Sequence, residues 1–147
     1  MENEEENNNL KVLKELHKAA KMGMDSISFV SKKVQDDNFK TLLSNQYNNY
    51  GNVVVKTNEI YHKFGELPNN NDIKDKVMGW TGVQMNTIND KSNSHIADML
   101  IQGTNMGIVE GKKLLNHYPN IDQEIKDTLQ NFIQMQEDNI QELKPSL

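Results

Sequence analysis

From Leu10 onward apolar residues recur at three- and four-residue steps: Leu10, Leu13, Leu16, Ala20, Met24, Ile27, Val30 and Val34, with His17 beside the stripe. This spacing keeps one helical face apolar and predicts an amphipathic helix over 10–34. Asp36 and Asp37 then offer an N-cap, and Phe39, Leu42, Leu43, Gln46, Tyr50, Val53, Thr57, Ile60 and Phe64 carry the period over 37–64. Gly65 suits the residue after a helix end, and Leu67-Pro68-Asn69-Asn70-Asn71 reads as a turn. Two helices of similar length with a short connection imply an antiparallel hairpin.

Asp72 is the expected cap of a third helix over 72–91, with Ile73, Val77, Trp80 and Ile88 interrupted by Gly79, Gly82 and Gln84. The fourth helix, expected over 94–117, starts from Ser92 or Ser94, runs through Ile96, Met99, Leu100, Gly103, Met106 and Leu114, and is closed by Pro119. A fifth, over 121–143, shows Ile125, Leu129, Phe132, Ile133, Gln136, Ile140 and Leu143 before Pro145 stops it. No segment alternates with the period of two that a strand requires, so the class is all-α. The opening MENEEENNN has nothing to bury and is expected to be a disordered acidic and Asn-rich tail over 1–9, leaving 10–147 as one domain.

Two hairpins joined by a connection that is itself helical form a four-helix bundle with one long crossover, here the Trp80 segment. On its helix lengths, its Asp36-Asp37 and Pro119 turns and the place of Gly79-Trp80, the chain from Leu10 to Leu143 resembles the ferritin-like superfamily. It is similar in particular to the small bacterial five-helix members of unassigned function, and also to the spore-coat branch. Membership would imply a di-iron centre built from a Glu on each of two helices and a Glu-x-x-His on each of the other two. Counting outward from the turns instead places Asp25, Gln46, Gln102, Asn105, Gln136 and Asn139 at mid-bundle. Amides are poor iron ligands and one carboxylate cannot hold two metal ions, so the ligand set is read as lost and these residues as a structural polar layer. The one Glu-x-x-His, Glu59 with His62, lies within a turn of Gly65, where His117 would join it as a weak end-of-bundle metal candidate; the competing reading is solvated side chains.

Gly103, Gly107 and Gly111 recur every fourth residue and form one helical face, read as a packing surface for Trp80, with a small-molecule groove as the alternative. The eight methionines are read as core filling rather than a binding surface. His17 is expected to be a half-buried, hydrogen-bonded histidine and His95 an exposed one.

Composition narrows the chemistry further. The chain of 147 residues has no cysteine, which excludes disulfides, thiolate metal sites and a cysteine nucleophile. Its 16 basic residues are all lysine, against 21 acidic ones, and a net charge of -5 without a basic stripe argues against nucleic acid. The acidic start is unlike a signal peptide, and no stretch approaches the roughly 20 apolar residues of a membrane span, so a cytoplasmic location is expected. No nucleophile elbow, phosphate loop or dinucleotide fingerprint occurs. The expectation is therefore a non-enzymatic, metal-independent bundle without a cofactor, with a binding, structural or stress-associated role and helix faces open to a homodimer. A metal-binding or oxidase protein of the same fold and a spore-coat or assembly component are the alternatives.

Overall fold

The computed structural model describes residues 2–66 and 90–147. Within them the chain is an all-α four-helix bundle: α1 (Glu2–Ser31), α2 (Asp37–Lys63), α3 (Asn93–His117) and α4 (Gln123–Leu143), with a short 3-10 turn at Lys144–Ser146. No strand occurs among the described residues, and no described helix is long and apolar enough to cross a membrane.

The helix limits have local causes. The Asp36 carboxylate accepts the Phe39 backbone N–H at 2.8 Å, Ser92 Oγ accepts that of His95 at 3.2 Å, and Asp122 accepts that of Glu124 at 3.0 Å. Each satisfies one of the four N–H groups that a helix start leaves without a partner. At the other end of α2, Gly65 takes φ +70°, which lets its N–H reach the His62 carbonyl and that of Glu66 the Tyr61 carbonyl. This paired closure needs a left-handed residue, and glycine adopts it without a Cβ clash.

One difference from the sequence reading stands out. Residues 2–9, read as a disordered tail, are helical and extend α1 by more than two turns; Asn9 Oδ1 accepts the Asp122 backbone N–H at 2.7 Å, a tertiary contact that local composition does not encode. The helix expected over 72–91, with Gly79 and Trp80, lies outside the described residues except for Asp90 and Lys91, which are not helical. The proposed packing of Trp80 on Gly103, Gly107 and Gly111 lies outside them too.

α1 packs along α2 and α3 along α4, giving the two antiparallel hairpins; α2 also packs on α4 and α1 on α3. Lys63 of α2 pairs with Glu124 at the start of α4, and Asn9 of α1 meets the turn between α3 and α4. The end of α2 and the end of α3 therefore share one end of the bundle. α3 begins at the opposite end from where α2 stops, so the topology contains one crossover. The core runs the full length, from Val12, Leu13 and Ile125 through Leu43, Phe132 and Leu129 to Val34 and Leu143.

Helix approach is closest where glycines stand. A Cβ on Gly23 would lie 2.5 Å from the buried Tyr50 ring, and one on Gly111 would lie 2.8 Å from Ile133 Cγ1. A Cβ on Gly51 would meet only Met24, at 3.6 Å. Gly23→Ala is expected to destabilise the protein by about 1–3 kcal/mol, because the ring has no flexible end to move aside. Gly51→Ala should instead stabilise it by about 0.5–1 kcal/mol, from helix propensity alone. Urea denaturation midpoints of the two variants are expected on opposite sides of the wild type.

Candidate functional site

At mid-height the bundle encloses a polar layer that keeps Gln46, Gln136 and Asn139 of those expected from counting and loses the other three. Gln46, Thr104, Gln136 and Asn139 are buried there with Tyr50, whereas Asp25, Gln102 and Asn105 are exposed. Gln102 donates instead to Asp98 on its own helix at 3.0 Å. The axial heights are right and the directions wrong: at about 100° per residue, the inward position of α3 is Thr104, and Gln102 and Asn105 turn away from it.

Tyr50 joins the layer together. Its ring lies under Gly23 of α1 and makes an edge contact with Phe132 of α4 at 6.0 Å. Its hydroxyl accepts from Gln136 Nε2 at 3.5 Å, with the side chains of Thr104 and Asn139 near it. Thr104 donates its own proton to the Leu100 carbonyl at 2.6 Å, so towards Tyr50 it can only accept. The phenolic oxygen accepts from the Gln136 amide N–H. That pairing turns Gln136 Oε1 away from Tyr50, and this oxygen finds no partner among the described residues. Gln46 completes the layer by donating to the Asn139 carbonyl at 3.2 Å and to Glu142 at 3.3 Å.

Above this layer, between α1 and α3, opens a groove of about 320 Å³. Ala19, Met22 and Gly23 line one side, Gly103, Met106 and Gly107 the other, and Tyr50, Phe132 and Gln136 the floor. Gly107 lets the Gln136 amide lie against the α3 backbone, where a Cβ would collide with Nε2. Gly103 and Gly107 thus serve a groove wall, and Gly111 serves close helix approach. Of the methionines, Met99 is buried and Met106 stands half exposed on the groove rim, so core filling describes only some of them.

The end-of-bundle candidates do not converge. Glu59, His62 and His117 are all exposed, and no group of three His, Asp or Glu side chains able to hold a metal occurs among the described residues. His117 Nδ1 donates to the Lys113 carbonyl at 2.8 Å, and Glu59 faces Lys56 at 4.0 Å. Glu124, at the same end of the bundle, is held by Lys63 at 2.8 Å and Lys56 at 3.0 Å, which lower its pKa. His17 is more buried than expected; its Nδ1 donates at 2.8 Å to Thr57 Oγ1, whose proton goes to the Val54 carbonyl, and its ring meets Tyr61 edge-on. His95 is half exposed.

Set against known protein families, curated proteins and solved structures, the chain matches none.

Burial raises the pKa of Tyr50, and burial with the Glu15 and Glu66 charges pushes that of Tyr61 up to about 12. In the unfolded chain both hydroxyls ionise near pH 10. Between that value and their folded values the native state keeps protons that the unfolded state has released, so rising pH favours unfolding. Urea midpoints are therefore expected to fall from pH 10 towards pH 12. Tyr50→Phe should flatten the fall while costing about 1 kcal/mol at neutral pH through its lost hydrogen bonds.

Proposed function

We propose that the chain is a non-enzymatic, metal-independent bundle of the ferritin-like kind that acts by binding, in the cytoplasm. The observation that carries this reading is the makeup of the mid-height layer. Gln46, Tyr50, Thr104, Gln136 and Asn139 bring neutral amides and hydroxyls from three helices to the level where di-iron bundles present carboxylates and histidines. Neutral oxygen and nitrogen donors supply no charge to offset two desolvated divalent ions, and hard cations select carboxylates over amides. What the layer does supply is a polar floor beneath a mostly apolar groove, the arrangement found in small-molecule sites between helices. At about 320 Å³ the groove is at the lower end of such sites, of the size that takes a compact ligand.

Elemental analysis of protein purified without chelators is expected to find no stoichiometric iron or manganese; two ions per chain, lost on substituting the mid-height residues, would overturn the reading. A second test uses the charge the layer lacks. Gln136→Glu buries a carboxyl among neutral groups, so its pKa rises and its charged form destabilises the fold. The variant should lose about 1–3 kcal/mol at pH 7 and recover most of it below pH 5, measured by denaturation across that range. If added iron or manganese restored its stability at pH 7, the layer would be a metal site and the binding reading would fall.

A further inference from the structure

Resting on that binding reading, we propose that Met106, on the α3 rim of the groove, is an oxidation site for peroxides, and that its sulfoxide weakens what the groove binds. The chain has eight methionines and no cysteine, so thioethers are the only sulfur that an oxidant meets. Met99 and Met106 stand about two turns apart on one face of α3. Their burial differs sharply: Met99 is 6% exposed and Met106 51%. The face is closed at the first and open at the second, where Met106 lines the groove opposite Met22 of α1. The reactive thioether and the binding surface therefore coincide.

The step is an oxygen transfer. The sulfur lone pair attacks the peroxide, the O–O bond breaks as an S–O bond forms, and the other oxygen leaves with a proton from solvent as water or an alcohol. The sulfide is oxidised and the peroxide reduced, so no further reactant is required. A flexible apolar side chain becomes a polar, chiral one whose oxygen accepts hydrogen bonds. An apolar ligand that covers the rim then strips water from this oxygen without replacing it, which costs affinity. Reductases return methionine sulfoxide to the thioether, so the change is reversible.

The test treats the full chain with hydrogen peroxide and locates each gain of about 16 Da by tandem mass spectrometry. Among the described methionines, Met106 is expected to be oxidised first and Met99 last. N-phenyl-1-naphthylamine, a neutral dye that fluoresces out of water, reports the groove. Its affinity should fall about tenfold after peroxide, the effect of one polar group desolvated without a partner. Met106→Leu, which keeps the apolar volume and removes the sulfur, should bind the dye as the wild type does and keep its affinity after peroxide. Met106→Gln should bind it about tenfold more weakly with no oxidant present. Equal oxidation rates for Met99 and Met106, an unchanged dye affinity once Met106 is oxidised, or an equal loss in Met106→Leu would each overturn the proposal and leave the binding reading standing. Failure of the dye to bind the untreated protein would overturn the binding reading of this groove, and the sulfoxide effect with it, whatever the oxidation rates.

Discussion

A single aromatic ring connects all four described helices. Tyr50 projects from α2, fits beneath Gly23 of α1, meets Phe132 edge-on from α4, and brings its hydroxyl to Gln136 of α4, near Thr104 of α3. The fit allows little slack, because a Cβ on Gly23 would collide with the ring. Aromatic burial supplies apolar area, while the hydroxyl chain sets which way each neighbour turns, so packing and register are decided at one place.

The hydrogen bonds of the mid-bundle layer do not close on themselves. A network closed on itself would only specify the fold. Here Gln136 donates to Tyr50 and Thr104 to a backbone carbonyl, while Gln136 Oε1 and Asn139 Nδ2 have no partner among the described residues.

Much of this architecture was legible in the sequence, and the gaps have definite causes. Asp36, Ser92 and Gly65 marked helix ends because capping is local chemistry carried by one or two residues. Gln46, Gln136 and Asn139 were placed at mid-height because helical rise converts residue number into distance from a turn. Asp25, Gln102 and Asn105 shared that height but not the direction, which depends on which stripe faces inward; Gly103, Thr104 and Gly107 dilute the apolar stripe of α3 enough to hide it. Tyr50 stood in the stripe of α2 as one more apolar residue, and Gly23 gave no sign of its role, since only the facing helix reveals what a missing Cβ makes room for. The helical start of α1 was missed for a related reason: a polar segment with no apolar stripe is held by Asn9 against a turn more than a hundred residues away.

The crossover topology also has an electrostatic consequence. Each helix carries roughly half a positive charge at its start and half a negative one at its end. α1 and α4 start at one end of the bundle, α2 and α3 at the other, and each of these pairs lies on a diagonal of the square. Like helix ends therefore sit as far apart as the cross-section permits, and every side of the square joins opposite ends. Had a short loop joined α2 to α3 across their diagonal, α3 would have run parallel to α1 and α4 parallel to α2, gathering like ends along two sides. As folded, the four macrodipoles cancel to a quadrupole, and the field felt beyond the surface is left to the side chains and their excess of acidic groups.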